Sequence, residues 1–444
     1  MLLKFLEFNN FSMSNLVIRG GARLKGEVTA QPNKNSVLKL IPATILCNDK
    51  VTITNVPRSS SVQVLLEIYE SIGGKVEFLN ENTICLDPRS INKTSIPDDL
   101  ALKERSSLVF LGPLLARFGV ASVRDSGGCK LGHRPLDTMF QGLRMLGAVI
   151  DKSKGYTAKL ENKKLKGNFI WQLEASVTGT ENLIMAAVLA EGTTTIYNAA
   201  CEPHTQDLCN FLNSVGASIS GIGTNKLVIH GVDELKGGSW EVISDHIDIG
   251  GLIVATLITG GELTIHKAIP HHMHQILNFI AKFNCSVEIK GDSIYVPPDQ
   301  QLVCLKNFKG DIDKVNDQPW PGFPADLLPQ MLILAMCSEG QMRIYSYMYE
   351  IQLVELVSQL NKMRANIFFS SPNLVVTLGK SNLIGGKVYT PSILQAAHAL
   401  VLSGMVAKGD TEIVNSDILF RRFPKIVSDL QSLGVEIYQK DEKS

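Results

Sequence analysis

"LIMAAVLAEGTTTIYNA", Leu183 to Ala199, decides how the chain is read. Its first half is an unbroken run of small aliphatic residues. It turns at Gly192, and its second half alternates threonine with apolar residues. The run fits a buried helix, the glycine fits the turn that ends one, and the alternation fits a half-buried strand. The same text returns as "GLIVATLITGGELTIHKA" from Gly251 and "ALVLSGMVAKGDTEIVNS" from Ala399. A second helix and strand follow each copy: "LCNFLNSVGASIS" from Leu208, "ILNFIAKFNCSVEI" from Ile276 and "IVSDLQSLGVEIY" from Ile426. "VQVLLEIYESIGGKVEFL" from Val62 fits the same template. Short strands open the copies, in "ARLKGEVTA" at Ala22, "KKLKGNFIW" at Lys163, "DELKGGSWEV" at Asp233 and "SNLIGGKVYT" at Ser381.

The repeated unit is strand, helix, strand, helix, strand, with about 70 residues between copies and room for roughly six. Several copies can share a core by packing their helices together and turning their sheets outward. Accidental similarity within a generic α/β protein is the other reading. A chain of 444 residues exceeds one ordinary core, so two large domains are expected. Lys plus Arg and Asp plus Glu both count 43, so no net field draws the chain to nucleic acid or an acidic membrane. Any anion site is local. Hydrophobic residues make up 45% and mean hydropathy is +0.10, as in a soluble packed protein, and no run approaches a membrane span. The eight cysteines form no CxxC pair, which points to reduced thiols and a cytoplasmic location. "FNCSV" around Cys285 and "AMCSEG" around Cys337 read as core filler. Residues 1–12 lack a basic n-region and read as an extension before the first strand at "SNLVIRGG".

One cysteine stands apart. "RDSGGCKLGHRP", Arg124 to Pro135, sets Cys129 after two glycines and before Lys130, His133 and Arg134. Glycine lets backbone approach a ligand, and nearby cations favour thiolate. The stretch reads as an anion-binding loop with a reactive Cys129, or as an ordinary exposed loop.

These features together resemble the enolpyruvyl transferases, and within them those acting on UDP-N-acetylglucosamine. The resemblance runs from about Leu16 to Ile437 and rests on "GPLLARFGVASV", "GGCKLGHRPLD", "SVTGTEN" and "LAEGTTTIYNAACEP". It implies an α/β (α+β) fold of two inside-out, barrel-like domains, each of three βαβαββ units, with the active site in the cleft between them. One domain would be continuous, 34–242. The other would join 13–33 to 243–444, with crossings near Gln31–Asn33 and Val242–Asp245. The implied reaction moves the enolpyruvyl group of phosphoenolpyruvate to the sugar 3-hydroxyl and releases phosphate, an early step of peptidoglycan synthesis. It needs an acid, a base and fixed cations, with no metal or other cofactor. The implied partners are phosphoenolpyruvate and a UDP-sugar, with no nucleic acid and no membrane, in a monomer or weak homo-oligomer.

The resemblance also assigns residues. Lys34 and Asn35 in "QPNKNS" match a Lys-Asn pair that contacts phosphoenolpyruvate and the sugar nucleotide; read from the residues alone, they are a solvated loop pair. Arg105 matches a nucleotide-side arginine, or is a surface cation. Arg134 matches a phosphoenolpyruvate-binding arginine, its fork suiting carboxylate and phosphate oxygens. Arg421 matches a second anion-binding arginine, with Arg422 leaving the assignment ambiguous by one position. Cys129 matches the general acid that forms a covalent adduct with phosphoenolpyruvate and is the target of fosfomycin. Asp326 in "WPGFPADLLPQ" matches the base for the sugar hydroxyl, and also suits a helix N-cap. Pro135, Leu136, Asp137 and Thr138, with Ser176, Val177 and Thr178, match loops around the uridine and diphosphate. Glu202 matches a glutamate near the cleft.

Other positions depart from the family pattern. Ile393 and Gln395 stand where Asp-Leu-Arg is usual. "EIQLVEL", with Gln352, lacks an expected Asn-Arg-Phe. "DHID" puts His246 for an arginine, Glu174 reverses a lysine, and "QPNKN" replaces "SGAKN". Each lost charge-assisted contact costs about 1.5–3 kcal/mol. The departures leave open the same chemistry on another acceptor, or a catalytically weak ligand-binding paralogue.

Overall fold

The structure is a computed structural model that describes residues 14–124, 135–162, 164–349 and 351–441. Among these, the chain divides into two compact units. One takes residues 32–244, and the other takes 14–31 with 245–441.

Within 32–244, the strand Phe169–Trp171 runs parallel to Thr193–Tyr197. That strand pairs antiparallel with Lys226–His230, which pairs with Ser218–Ser220. A parallel edge pair followed by an antiparallel hairpin is the pattern of four of the six sheets described. Gly238–Glu241 lies parallel to Val51–Thr54, with Thr83–Asp87 and Lys75–Asn80 beyond. The unit's last strand thus completes its first sheet. In the third sheet, Val120–Val123, Tyr156–Leu160 and Ala148–Asp151, the parallel edge shrinks to one bridge, Ser95 to Ser122. The hairpin's second strand extends the unit read from the residues to βαβαββ. "KLVIH" after the turn "GIGTN" is one such strand, too short to declare itself.

The other unit repeats the pattern. Lys25–Thr29 is parallel to Glu262–His266, then come Ser293–Val296 and Glu288–Lys290. Lys314–Asn316 is parallel to Arg343–Tyr345, then come Leu374–Thr377 and Ile367–Ser371. Lys387–Tyr389 is parallel to Asp410–Val414. There Ser14–Arg19 takes the place of a hairpin strand, between Asp410–Val414 and Ile437–Asp441.

Each repeat has one helix that is apolar nearly all round. These are Lys34–Ala43, Leu111–Phe118, Val177–Ala187, His246–Ile258, Leu328–Met336 and Leu394–Val406. All of Leu328–Met336 is buried, because a helix with no polar face finds its lowest free energy inside a bundle. The second helices, such as Pro203–Ser214 and Val354–Lys362, bury one stripe. Gly192, Gly260 and Gly409 take φ of 85°, 62° and 86° at the turns from helix to strand, as the repeat text implies. At Gly112 a Cβ would sit 2.4 Å from the Asn182 carbonyl oxygen, so only glycine lets those two helices approach so closely. Each unit has its own hydrophobic core. No helix among the described residues is long and apolar enough to cross a membrane.

The chain leaves and rejoins each unit beside its own helix start. Asn33 N donates to Ile243 O at 2.7 Å in one unit, and Asp245 N donates to Gln31 O at 2.8 Å in the other.

Candidate active site

In the unit 32–244, Lys34 and Asn35 form the first turn of the helix Lys34–Ala43, where the residues alone suggested a loop. Asn33 caps that helix, its side-chain oxygen accepting from Ser36 N at 3.0 Å. Lys34 therefore stands in the first turn, at the positive end of the helix dipole, a setting for anions. Lys34 also acts on Glu104. Burial works to raise the Glu104 carboxyl, but Lys34, the Ser61 hydroxyl and Ser106 together hold it below its ordinary value. Glu104 in turn caps the turn Arg105–Phe110, accepting from Ser106 N at 3.3 Å, which fixes half-buried Arg105 at its first position.

Two buried polar anchors hold the Lys34 helix. The Ser36 hydroxyl donates to Asp207, which also accepts from Trp240 Nε1 at 3.0 Å. Burial pushes the Asp207 carboxyl up to about 6 against those bonds. One turn further, Lys39 Nζ lies 3.2 Å from Glu181 Oε2, with the Glu181 side chain fully buried. Burial pushes Glu181 up to about 7 despite Lys39 and Thr205. His204 Nε2 is 3.8 Å from its other oxygen. Glu202, in the cap position before Pro203, adds negative charge to the same region.

Glu181 belongs to the helix Val177–Ala187, so the ion pair ties the Lys34 helix to the one bearing Ser176, Val177 and Thr178. Those three residues are a helix start, not a loop. Ser176 is the cap, its hydroxyl accepting from Gly179 N at 3.3 Å. Exposed Glu174 precedes it. Asp137 and Thr138 likewise open the helix Asp137–Met145, with Leu136 at the cap position. Pro135 and Asp137 are exposed, but Thr138 is buried, because its helix turns it inward. Cys129 and Arg134 lie outside the described residues. Among the described cysteines, burial pushes the thiols of Cys285 and Cys337 up to about 12, which makes them inert.

In the unit 14–31 with 245–441, Asp326 lies in the turn Ala325–Leu327 before the helix Leu328–Met336. It is not the N-cap, a position held by Leu327; its carboxylate turns to a guanidinium instead. Arg422 Nη1 is 3.8 Å from Asp326 Oδ2, and Arg422 Nη2 is 2.6 Å from Asp245 Oδ2. Asp245 also caps the helix His246–Ile258, accepting from Ile247 N at 3.0 Å. Arg421 is exposed while Arg422 is buried, so the two neighbours face different surroundings.

Four of the departures from the family pattern, Gln352, His246, Ile393 and Gln395, lie in this unit as neutral groups. Gln352 is buried and donates to the Ala325 carbonyl at 2.6 Å. Gln330, in the orientation its neighbours impose, donates to the carbonyls of Asp326 and Leu327 at 3.2 and 3.3 Å and accepts from His398 Nδ1 at 3.2 Å. Gln395 and Ile393 are buried close by in sequence to His398. His246 is buried against Trp320, and burial lowers it to about 4, so it stays neutral beside Asp245. The charge that reaches Asp326 here is Arg422, the second arginine of "FRRF", which the sequence left as an ambiguity with Arg421.

This architecture defines a class. A solved enolpyruvyl transferase, NikO from Streptomyces tendae, has the same fold, with a TM-score of 0.85 at 20% identity over 96% of this chain and 99% of that one. EPSP synthase from Acinetobacter baumannii matches with a TM-score of 0.74 at 18% identity over 96% of this chain and 100% of that one. The chain belongs to the EPSP synthase (3-phosphoshikimate 1-carboxyvinyltransferase) family, whose sequence profile matches residues 18–430. Among its relatives, the UDP-N-acetylglucosamine 1-carboxyvinyltransferase of Borrelia garinii subsp. bavariensis is 39% identical, over 96% of this chain and 99% of the relative. The enzyme of the same name from Treponema denticola is 38% identical, over 97% and 100%.

Proposed function

We propose that this chain transfers the enolpyruvyl group of phosphoenolpyruvate to the 3-hydroxyl of UDP-N-acetylglucosamine and releases phosphate, in peptidoglycan synthesis. The observation that carries this reading is near-complete coverage, at 38–39% identity, of relatives bearing that name. Within it, Lys34 at its helix start holds the phosphoenolpyruvate anion, with Arg134 and Arg421 as further cations. Asn35 and Arg105 meet the sugar nucleotide. The capped start of Val177–Ala187 offers N–H groups to the diphosphate. Cys129 protonates the methylene carbon, and Asp326 takes the proton of the sugar hydroxyl as its oxygen bonds to the enol carbon. The carbon–oxygen bond to phosphate then breaks and a proton leaves the methyl group so formed, giving the enol ether and free phosphate.

Phosphate release tests the reading. Rapid release with phosphoenolpyruvate and UDP-N-acetylglucosamine, and none with 3-phosphoshikimate, is the expected result. Release only with another nucleotide sugar would move the reading to a different acceptor, for which exposed Glu174 beside the Ser176 cap is the residue to examine. Binding without release would point to a non-catalytic paralogue. Cys129→Ser is expected to abolish turnover and labelling by fosfomycin together.

A further inference from the structure

Arg422 is a guanidinium buried between two carboxylates, with 5% of its side chain exposed. Burial works against its charge, and Asp245, Asp326 and Asp248 outweigh burial, so it stays protonated. Its surroundings are otherwise neutral or apolar. His246 and His398 are both lowered to about 4 by burial, and its Cζ sits 5.6 Å from the centre of the Phe423 ring. Asp248 is raised by burial to about 7, with Asp245 and Asp429 adding to the rise. Asp245 is held twice, by Arg422 at 2.6 Å and by the N–H groups of Ile247 and Asp248 at 3.0 and 3.3 Å. It is therefore a fixed post. Arg422 spans from that post to Asp326, whose side chain is one-third exposed.

We propose that Arg422 is a positioning residue for the reaction: anchored on Asp245, its guanidinium fork orients the Asp326 carboxylate. The proposal rests on the reading of Asp326 as the base. A planar fork reaches two carboxylates in fixed directions, which an ammonium does not. The backbone under Asp326 is held separately by Gln352 and Gln330, so Arg422 acts on the carboxylate rather than on the turn.

The test uses the full chain with Asp326→Asn as reference. Arg422→Met is expected to lower kcat about 10–100-fold, with KM for phosphoenolpyruvate little changed. Arg422→Lys recovers part of kcat. Asp245→Asn keeps a capping side chain and is expected to fold. It frees the guanidinium from its post, so kcat is expected to fall several-fold with KM for phosphoenolpyruvate again little changed. A fall in kcat without a rise in KM in both folded variants, partly recovered in Arg422→Lys, would not arise from a purely structural role. Wild-type kcat in folded Arg422→Met and Asp245→Asn, with Asp326→Asn inactive, would overturn the role of Arg422 and leave the base standing. An active Asp326→Asn would overturn both.

Discussion

The two units begin their first buried helix in the same way and with opposite chemistry. Each helix follows a crossing of the chain and carries a capping side chain. One start is Asn33-Lys34, a neutral cap and a cation. The other is Asp245-His246, a charged cap and a buried neutral imidazole. The first helix presents positive charge at its own start. The second keeps its cap's negative charge for Arg422, and through it for Asp326. One repeated scaffold thus carries a cation at its start in one unit and a held carboxylate in the other. The helix start fixes position, and one or two side chains fix sign.

The largest effect that would break this contrast is at Lys34. Lys34→Met removes the cation and leaves the Asn33 cap, so turnover is expected to fall on the order of 10³-fold, while the melting temperature drops only modestly as Glu104 loses the Lys34 charge. Equal loss of activity and stability would mean that Lys34 supports the helix rather than the substrate. The next test concerns the anchors. Lys39→Met strands the buried Glu181 and is expected to cost about 3–5 kcal/mol in urea unfolding. Lys39→Met with Glu181→Leu recovers most of that loss, since no buried charge is left unpaired. A double variant as unstable as the single one would contradict the pairing.

The smallest effect sharpens the other side. Asp248 has a folded-state value of about 7, above that of an unfolded aspartate. Its stabilising share is therefore full at low pH and is lost as pH rises through about 7. Asp248→Asn removes that loss, so its melting temperature relative to wild type is expected to climb between about pH 4 and about pH 7. A pH-independent difference would contradict a raised, buried carboxyl.

Much of this was legible in the sequence because repeats print the same physics several times. The apolar runs ending at Gly192, Gly260 and Gly409 announced buried helices and their turns. Motif residues such as Lys34, Asn35 and Asp326 could be named because they sit in distinctive short stretches. Their local setting was read less well. Lys34, Ser176 and Asp137 stand at helix starts, where a cap such as Asn33 or Ser176 leaves only a weak signal. Partnerships were not legible at all. Arg422 and Asp245 are separated by 177 positions, and nothing in spacing or composition joins them. The same holds for Lys39 and Glu181, which look like unrelated residues in two apolar helices.

The most direct measurement is mass spectrometry of the sugar nucleotide after incubation with phosphoenolpyruvate and UDP-N-acetylglucosamine, in wild type, Lys34→Met and Asp326→Asn. The expected result is an enolpyruvyl sugar nucleotide formed in step with phosphate by the wild type, and only a trace of it from either variant. Undiminished product from both variants, or phosphate without any enolpyruvyl sugar nucleotide from the wild type, would contradict the division of labour between the cation of one unit and the carboxylate of the other.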